Sequence, residues 1–294
     1  MTELRTVETD ADLELWVGVK NAVVPNEPTT PQQVSESAEP DRLLLLAERA
    51  GVAVGCGICD RSHFGGRAFI AVRVLPGERR QGIGTMLARS LADHARELGL
   101  DGVNAFAYAD EPHSIAFAER FGLTQVDYQL EQTRTIGDEA APAVPAGIEL
   151  VALGGRRDEL LRAVWPVALE GYADLPLPGE VTYPLEAWLR EEATRPEGSF
   201  AAFEGGEPVG FAGLVAHANG AAIAEHGLTV VRRDRRRRGI ARLLKRTQLH
   251  WAAGAGIAKL VTWTQQGNEA MQALNRSLGY VDTAKVITYQ GPLP

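Results

Sequence analysis

The stretch 221–241, AAIAEHGLTVVRRDRRRRGIA, decides how the rest of the chain is read. Ile223, Leu228, Thr229, Val230 and Val231 are the β-branched and apolar residues of a strand, and they lead straight into an arginine-rich turn. Beyond the turn, Ile240, Leu243, Leu244, Thr247 and Trp251 recur at the spacing of one helical face, so the turn opens directly into a core-facing helix. Gly239 and Ala241 leave the backbone bare at the first turn of that helix, where N–H groups lack intrahelical partners and the helix dipole is positive. Arg236, Arg237, Arg238 and Arg242 surround the same point with positive charge. A strand that delivers a bare, basic helix start predicts a site for a pyrophosphate-containing cofactor.

The same device occurs earlier. Residues 69–84, FIAVRVLPGERRQGIG, are again a strand, a basic turn and a bare helix start, followed by Ile83, Leu87, Leu91 and Leu98 on one stripe. Arg79-Arg80-Gln81-Gly82-Ile83-Gly84 and Arg236-Arg237-Arg238-Gly239-Ile240-Ala241 are thus two copies of R-x-x-G-x-G/A, a repeat that predicts two domains of one kind.

This pattern resembles the acyl-CoA-binding loop of the GNAT superfamily of N-acetyltransferases. The resemblance implies an α/β (α+β) fold class, two GNAT folds in tandem, each a mixed, mostly antiparallel sheet flanked by helices. It also implies acetyl-CoA, or another acyl-CoA, as cofactor. In the second copy the residues implied to hold it are Thr229, Val231, Arg236, Arg237, Arg238, Gly239, Ile240, Ala241, Arg242, Asn268 and Asn275. In the first copy they are Val72, Val74, Arg79, Arg80, Gln81, Gly82, Ile83, Gly84 and Thr85.

At 294 residues the chain is long enough for two ordinary domains, and 45% hydrophobic with 23% charged residues is a globular composition. No apolar run approaches a membrane span and the first twelve residues are too charged for a signal peptide, so a cytoplasmic location and no membrane partner are expected. Two cysteines make no disulfide framework; Cys56 and Cys59 lie on an expected strand, where a spacing of three points them to opposite faces, and are read as packing with no metal site. The net charge of −8 argues against nucleic acid despite the arginine run, and favours an amine-bearing small molecule or peptide as partner.

In order, the chain reads as strand 4–7, helix 11–24 with Asp10 as N-cap, a proline-broken loop, a short helix 32–38, a hairpin of strands 42–48 and 52–60, and strand 67–75 into the first loop. A long helix to Gly99, strand 102–108, helix 112–120 and strand 123–134 complete a first domain, residues 1–134. Residues 135–147, TIGDEAAPAVPAG, read as linker, and 148–294 repeat the series and close on strand 281–290. Tandem copies can pack as a pseudo-dimer, leaving monomer and homodimer both open.

Acyl transfer to an amine needs a proton acceptor, because most alkyl amines have a pKa near about 10, and a proton source for the leaving thiolate. Glu225 stands eleven residues before Arg236, the offset at which histone-acetylating GNAT members carry their glutamate; the same offset in the first copy gives Ala68. Gly227 suits the β-bulge that the resemblance implies there, and because a bulge shifts side-chain parity, Glu225 and His226 both stay candidates for the base, as does neither. On the helix after the next strand, Asn268, Met271, Asn275, Gly279 and Tyr280 fall on the family pattern N-x-x-A-x-x-x-Y-x-x-x-G-F. Asn275 replaces the family's acidic tyrosine, leaving Tyr280, Thr264, water or direct thiolate release for the acid step. The matching first-copy residues are Glu111, Ser114 and Ala118, so the first domain is expected either to bind acetyl-CoA without turnover or to use different residues around His94, His113 or Tyr108, each histidine being read first as a surface or structural residue. Glu170, Asp174, Glu180 and Glu186 are read as an acidic rim or as solvated surface. The function expected is N-acetyl transfer to a primary amine by direct attack in a ternary complex in the second domain; the alternative is an acyl-CoA-binding regulatory protein without turnover.

Overall fold

In a computed structural model, residues 2–37, 39–62, 66–175, 183–217 and 219–294 are described. They form two compact units, Met1–Tyr128 with Val286–Pro294, and Gln129–Lys285.

The first unit contains β1 (Thr2–Thr6), α1 (Asp10–Val23), α2 (Pro31–Glu36), β2 (Leu43–Arg49), β3 (Val52–Arg61), β4 (Ala68–Val74), α3 (Ile83–Glu97), β5 (Gly102–Tyr108), α4 (Pro112–Arg120) and the start of β6 (Thr124–Thr135). Strands pair in the order β1-β2-β3-β4-β5, all antiparallel except β4 with β5. The second unit contains the rest of β6, β7 (Ile148–Ala152), α5 (Arg157–Ala173), α6 (Leu185–Glu191), β8 (Phe200–Glu204), β9 (Glu207–Ala216), β10 (Ile223–Val231), α7 (Ile240–Gly254), β11 (Lys259–Gln265), α8 (Glu269–Ser277) and the start of β12 (Val281–Pro292). Its strands pair β7-β8-β9-β10-β11, again with one parallel pair, β10 with β11. Each sheet is the mixed, mostly antiparallel one expected, flanked by helices.

The strands that close the two sheets differ from the linear order. Residues 286–292 of β12 pair with β5, in the first unit, and residues 129–135 of β6 pair with β11, in the second. The alternation of 123–134 and 281–290 identifies both as strands, but a strand's partner is set by non-local packing that no local pattern encodes.

Each unit's long helix is held by burial. Leu87 and Leu91 of α3 and Leu244 of α7 are fully buried, each worth roughly 2 kcal/mol of transfer free energy. α1 starts one residue earlier than expected. Thr9, rather than Asp10, is the N-cap: its hydroxyl accepts from Asp12 N at 3.2 Å while the Asp12 carboxylate accepts from Thr9 N at 3.0 Å, a reciprocal arrangement Asp10 cannot make. The expected hairpin closes through Ala50 and Gly51, both at positive φ (49° and 76°). The short helix expected over 32–38 is Pro31–Glu36; Ala38 itself, like Pro176 and Pro178 of the loop before α6, lies outside the described residues. Cys56 and Cys59 are buried in different clusters, one beside Trp16 and the other beside Leu91.

The two parallel pairs open gaps. β4 and β5 pair at Ala68 with Val103 and at Phe69 with Asn104; β10 and β11 pair from Ile223 with Lys259 to Glu225 with Val261. Beyond those residues the strands part, and each gap opens toward the end of the strand that feeds a basic turn.

Candidate active site

The two basic turns have one backbone. Each begins with a single 3₁₀ turn, Pro76–Glu78 or Arg233–Arg235, followed by an extended arginine, Arg79 or Arg236. The Nε of that arginine donates to the last carbonyl of its own strand, Val74 O at 3.1 Å and Val231 O at 2.9 Å. Next come positive φ at Arg80 (66°) and Arg237 (64°), then at the N-cap glycines Gly82 (85°) and Gly239 (81°). Two left-handed residues at alternate positions fold each turn tightly back over the bare helix start, the kind of backbone that can form an anion-binding concavity. Neither N-cap makes a side-chain bond, so the first N–H groups of α3 and α7 remain for a ligand. Over the first turn lies a groove of about 730 Å³ lined by Gln81, Gly82, Ile83, Thr85, Met86 and Arg89.

The strands that feed these turns differ. β4 pairs with β3 in unbroken register from Ala68 to Val74. In β10, His226 faces Leu214 but Thr229 faces Ala212, so Gly227 and Leu228 together stand opposite Gly213. This is the bulge expected at Gly227. It decides the parity that alternation leaves open. Leu214 packs against Leu249 and Ala252 of α7, so His226 points into that layer and is only 5% exposed. Glu225, opposite Val215, points to the other face, where its carboxylate lies 4.0 Å from His217 Nε2.

On the face with Glu225 sits a carboxylate that the sequence reading missed. Glu192, just past α6, accepts from Leu228 N at 3.0 Å and from Ala193 N at 3.1 Å. A Cβ at Gly213 or Gly227 would stand 1.8 or 2.0 Å from its Oε1, so both glycines are required for the carboxyl to lie against the bulge. Burial pushes Glu192 up to about 7, against the pull of its two backbone donors and of Arg157. The signal was present in two glycines on neighbouring strands, which mark a close approach.

The profile of the Acetyltransferase (GNAT) family matches twice, at residues 13–123 and 162–280. The chain belongs to the GNAT acetyltransferase family. It is accordingly an acyltransferase with two GNAT folds in tandem. Among similar proteins, the mycothiol acetyltransferase of Thermomonospora curvata is 29% identical over 254 residues, covering 85% of this chain and 82% of that one. That of Catenulispora acidiphila is 25% identical over 314 residues, 93% and 99% of the two chains. Two solved structures share the fold: a GCN5-related N-acetyltransferase from Sphaerobacter thermophilus (TM-score 0.81, 19% identity, 99% and 96% coverage) and a tandem GNAT protein from the clavulanic acid biosynthesis pathway (0.78, 19%, 100% and 99%).

Other GNAT positions have structural partners. Asn268 caps α8, its Oδ1 accepting from Met271 N at 3.4 Å. Asn275 is fully buried and donates to Gln132 Oε1 at 2.9 Å. Tyr280 is 2% exposed in the core under α7, its hydroxyl 2.6 Å from His226 Nε2, and burial raises its pKa. Burial, then the nearby Lys245, holds His226 well below its ordinary value; Lys245 itself is pushed down to about 7 by burial. Thr264 is buried, its hydroxyl unbonded among the described residues. The pair His226–Tyr280 and the carboxylates Glu192 and Glu225 therefore occupy opposite faces of β10.

The arginine run is largely occupied. Asp174 pairs with Arg233 at 2.6 Å and Arg236 at 2.5 Å, and Glu204 with Arg235 at 2.6 Å and Arg238 at 2.7 Å. These guanidinium groups hold both carboxylates down to about 2. Glu170 accepts from Arg233 N at 2.8 Å and Glu186 lies 3.6 Å from Arg162. Three of the four residues read as an acidic rim thus brace α5, α6 and the turn; Glu180 lies outside the described residues. In the first unit Ala68 is fully buried, and His94 bonds the Asp41 carbonyl at 2.8 Å.

Proposed function

We propose that the second unit transfers an acetyl group from acetyl-CoA to a primary amine of a small molecule or peptide, by direct attack with both bound. Acetyl-CoA would supply the thioester: as the C–N bond forms the C–S bond breaks, and CoA leaves as the thiolate, which takes up the proton that the attacking nitrogen sheds. The concave turn at Arg237–Gly239 and the bare start of α7 hold the pyrophosphate, and the gap between β10 and β11 receives the pantetheine arm. Glu225, half-exposed on the open face of β10, takes the ammonium proton that must leave before the nitrogen can attack. Glu192 holds the Leu228 N–H to its own side and fixes the bulge, which sets where the neighbouring backbone donors meet the thioester oxygen. The first unit binds the cofactor without turnover.

The observation that carries this reading is the bulge at Gly227–Leu228, flanked by two carboxylates, in one of two otherwise matching loop-bearing strands. The relatives are mycothiol acetyltransferases, so their acceptors head the amines to test, with amino sugars, polyamines, aminoglycosides and amino-acid amines. Thiol release from acetyl-CoA with each amine is compared for wild type and Glu225→Gln. A loss of about 100-fold or more in Glu225→Gln at unchanged acetyl-CoA affinity supports the assignment, and full retained activity removes Glu225 from the mechanism.

A further inference from the structure

The first unit carries a feature that the described residues of the second do not repeat. Arg73 of β4 and Tyr108 of β5 each lie four residues beyond the last paired residues, Phe69 and Asn104, so alternation puts them on one face at the open end of the gap. That face is covered by α1. The Arg73 guanidinium lies 5.9 Å from the ring centroid of Trp16, whose Nε1 donates to Gly57 O at 3.0 Å. One turn on, Lys20 is only 7% exposed. Arg73 Nη1 is buried with no hydrogen-bond partner, and neither Arg73 nor Lys20 forms an ion pair among the described residues. Burial, then the charge of Arg73, lowers the pKa of Lys20, so the two cations lie within each other's field. The carboxylate nearest in charge effect, Glu27, is exposed and accepts a hydrogen bond from the Tyr108 hydroxyl.

Two like charges drawn out of water, offset only by the exposed Glu27, whose charge acts on both, are costly, and a protein that keeps them there supplies a seat for an anion. Arg73 offers a planar donor pair suited to a carboxylate, with Lys20 as a second point charge. Beside them Phe106, 47% exposed and 5.7 Å from the Phe69 ring, offers an apolar platform for the body that carries the acid. Among the described residues the second unit shows no matching pair of cations. Six residues before the first loop arginine, where the first unit has Arg73, stands Val230, against which Gly171 of α5 packs so closely that a Cβ there would stand 2.6 Å from Val230 Cγ2.

We propose that Arg73 and Lys20 form a binding site for a carboxylate-bearing small molecule in the first unit, between α1 and the open end of the β4–β5 gap. The carboxylate comes either on the acyl group of a CoA thioester seated by the Arg79–Gly84 turn, or on a free acid; the same two cations serve both.

The test is calorimetric titration of the full-length wild-type, Arg73→Met and Lys20→Met proteins with succinyl-CoA, acetyl-CoA, succinate and inorganic phosphate. Succinyl-CoA or succinate is expected to bind wild type at least about tenfold more tightly than it binds either variant, the scale of one charge-assisted hydrogen bond. Discrimination with succinyl-CoA but with neither acetyl-CoA nor succinate identifies a thioester-borne acid; discrimination with succinate identifies a free one. Equal affinities, or no binding, of both carboxylate probes across the three proteins overturn the site, and a phosphate-only response overturns the carboxylate assignment. Lys20→Met keeps the test decisive should Arg73→Met fold poorly.

Discussion

The two units share a cofactor turn and part company on the strand before it. Arg79–Gly82 and Arg236–Gly239 repeat the same dihedral sequence, the same arginine-to-carbonyl bond and the same bare helix start. Yet β4 runs in unbroken register past a buried Ala68, while β10 bulges at Gly227–Leu228 beside Glu192 and Glu225. The backbone of the basic turn is thus separable from the bulge in the strand that feeds it. The turn is a short run of dihedrals present in both units, whereas the bulge is a strand pulled out of register with Glu192 and Glu225, from two elements, placed against it. The turn is common to both units, while the bulged strand with carboxylates beside it occurs in the second, and the proposed division of labour between the units rests on that difference.

The largest expected break of this asymmetry is Gly227→Val. Its side chain would enter the space of the Glu192 carboxyl, which lies 2.0 Å from a Cβ at that position, and the expected result is loss of turnover by 100-fold or more with destabilisation of about 2–4 kcal/mol. Thiol-release kinetics and urea unfolding read both; near-normal turnover would detach the bulge from catalysis.

Next is the pH dependence of stability. The folded pKa of Glu192, about 7, lies above the ordinary carboxyl value near 4.5, so its protonated form is favoured in the folded state. Folding then takes up a proton between those values, and the contribution of Glu192 is full below about pH 4.5 and falls as pH rises toward 7, by about 3 kcal/mol in all. Glu192→Gln is expected to gain stability relative to wild type over that interval in urea unfolding at pH 5 and pH 8. A constant difference would mean that the carboxyl is not desolvated.

A smaller effect is expected from Tyr280→Phe. It removes the partner of a buried imidazole, costing about 1–3 kcal/mol of stability, with kcat changed no more than a few-fold. A fall of 100-fold in kcat would instead give Tyr280 the acid step.

Glycines and alternation made the architecture legible, because turns with positive φ and helix starts are local. The function of the α8 asparagines was harder to read: the sequence pattern that implies contact with the cofactor is equally that of an N-cap at Asn268 and a buried amide pair at Asn275. Glu192 sits beside Glu191 in a charged helix end and carries no local mark of burial; only Gly213 and Gly227, far apart in sequence, betray it. The closing strands were legible as strands, but their partners, β5 for β12 and β11 for β6, were not, since alternation within a strand does not name its neighbour.

The most direct test of the division between the units is a matched pair, Gly82→Glu and Gly239→Glu, assayed for amine acetylation. Both sites are N-caps at φ 85° and 81° with open space around a Cβ, so backbone strain is alike and each carboxylate repels a pyrophosphate at its own turn. Turnover abolished by Gly239→Glu and kept within a few-fold by Gly82→Glu is the predicted result. Turnover abolished by Gly82→Glu and kept by Gly239→Glu would move the chemistry to the first unit and contradict the account.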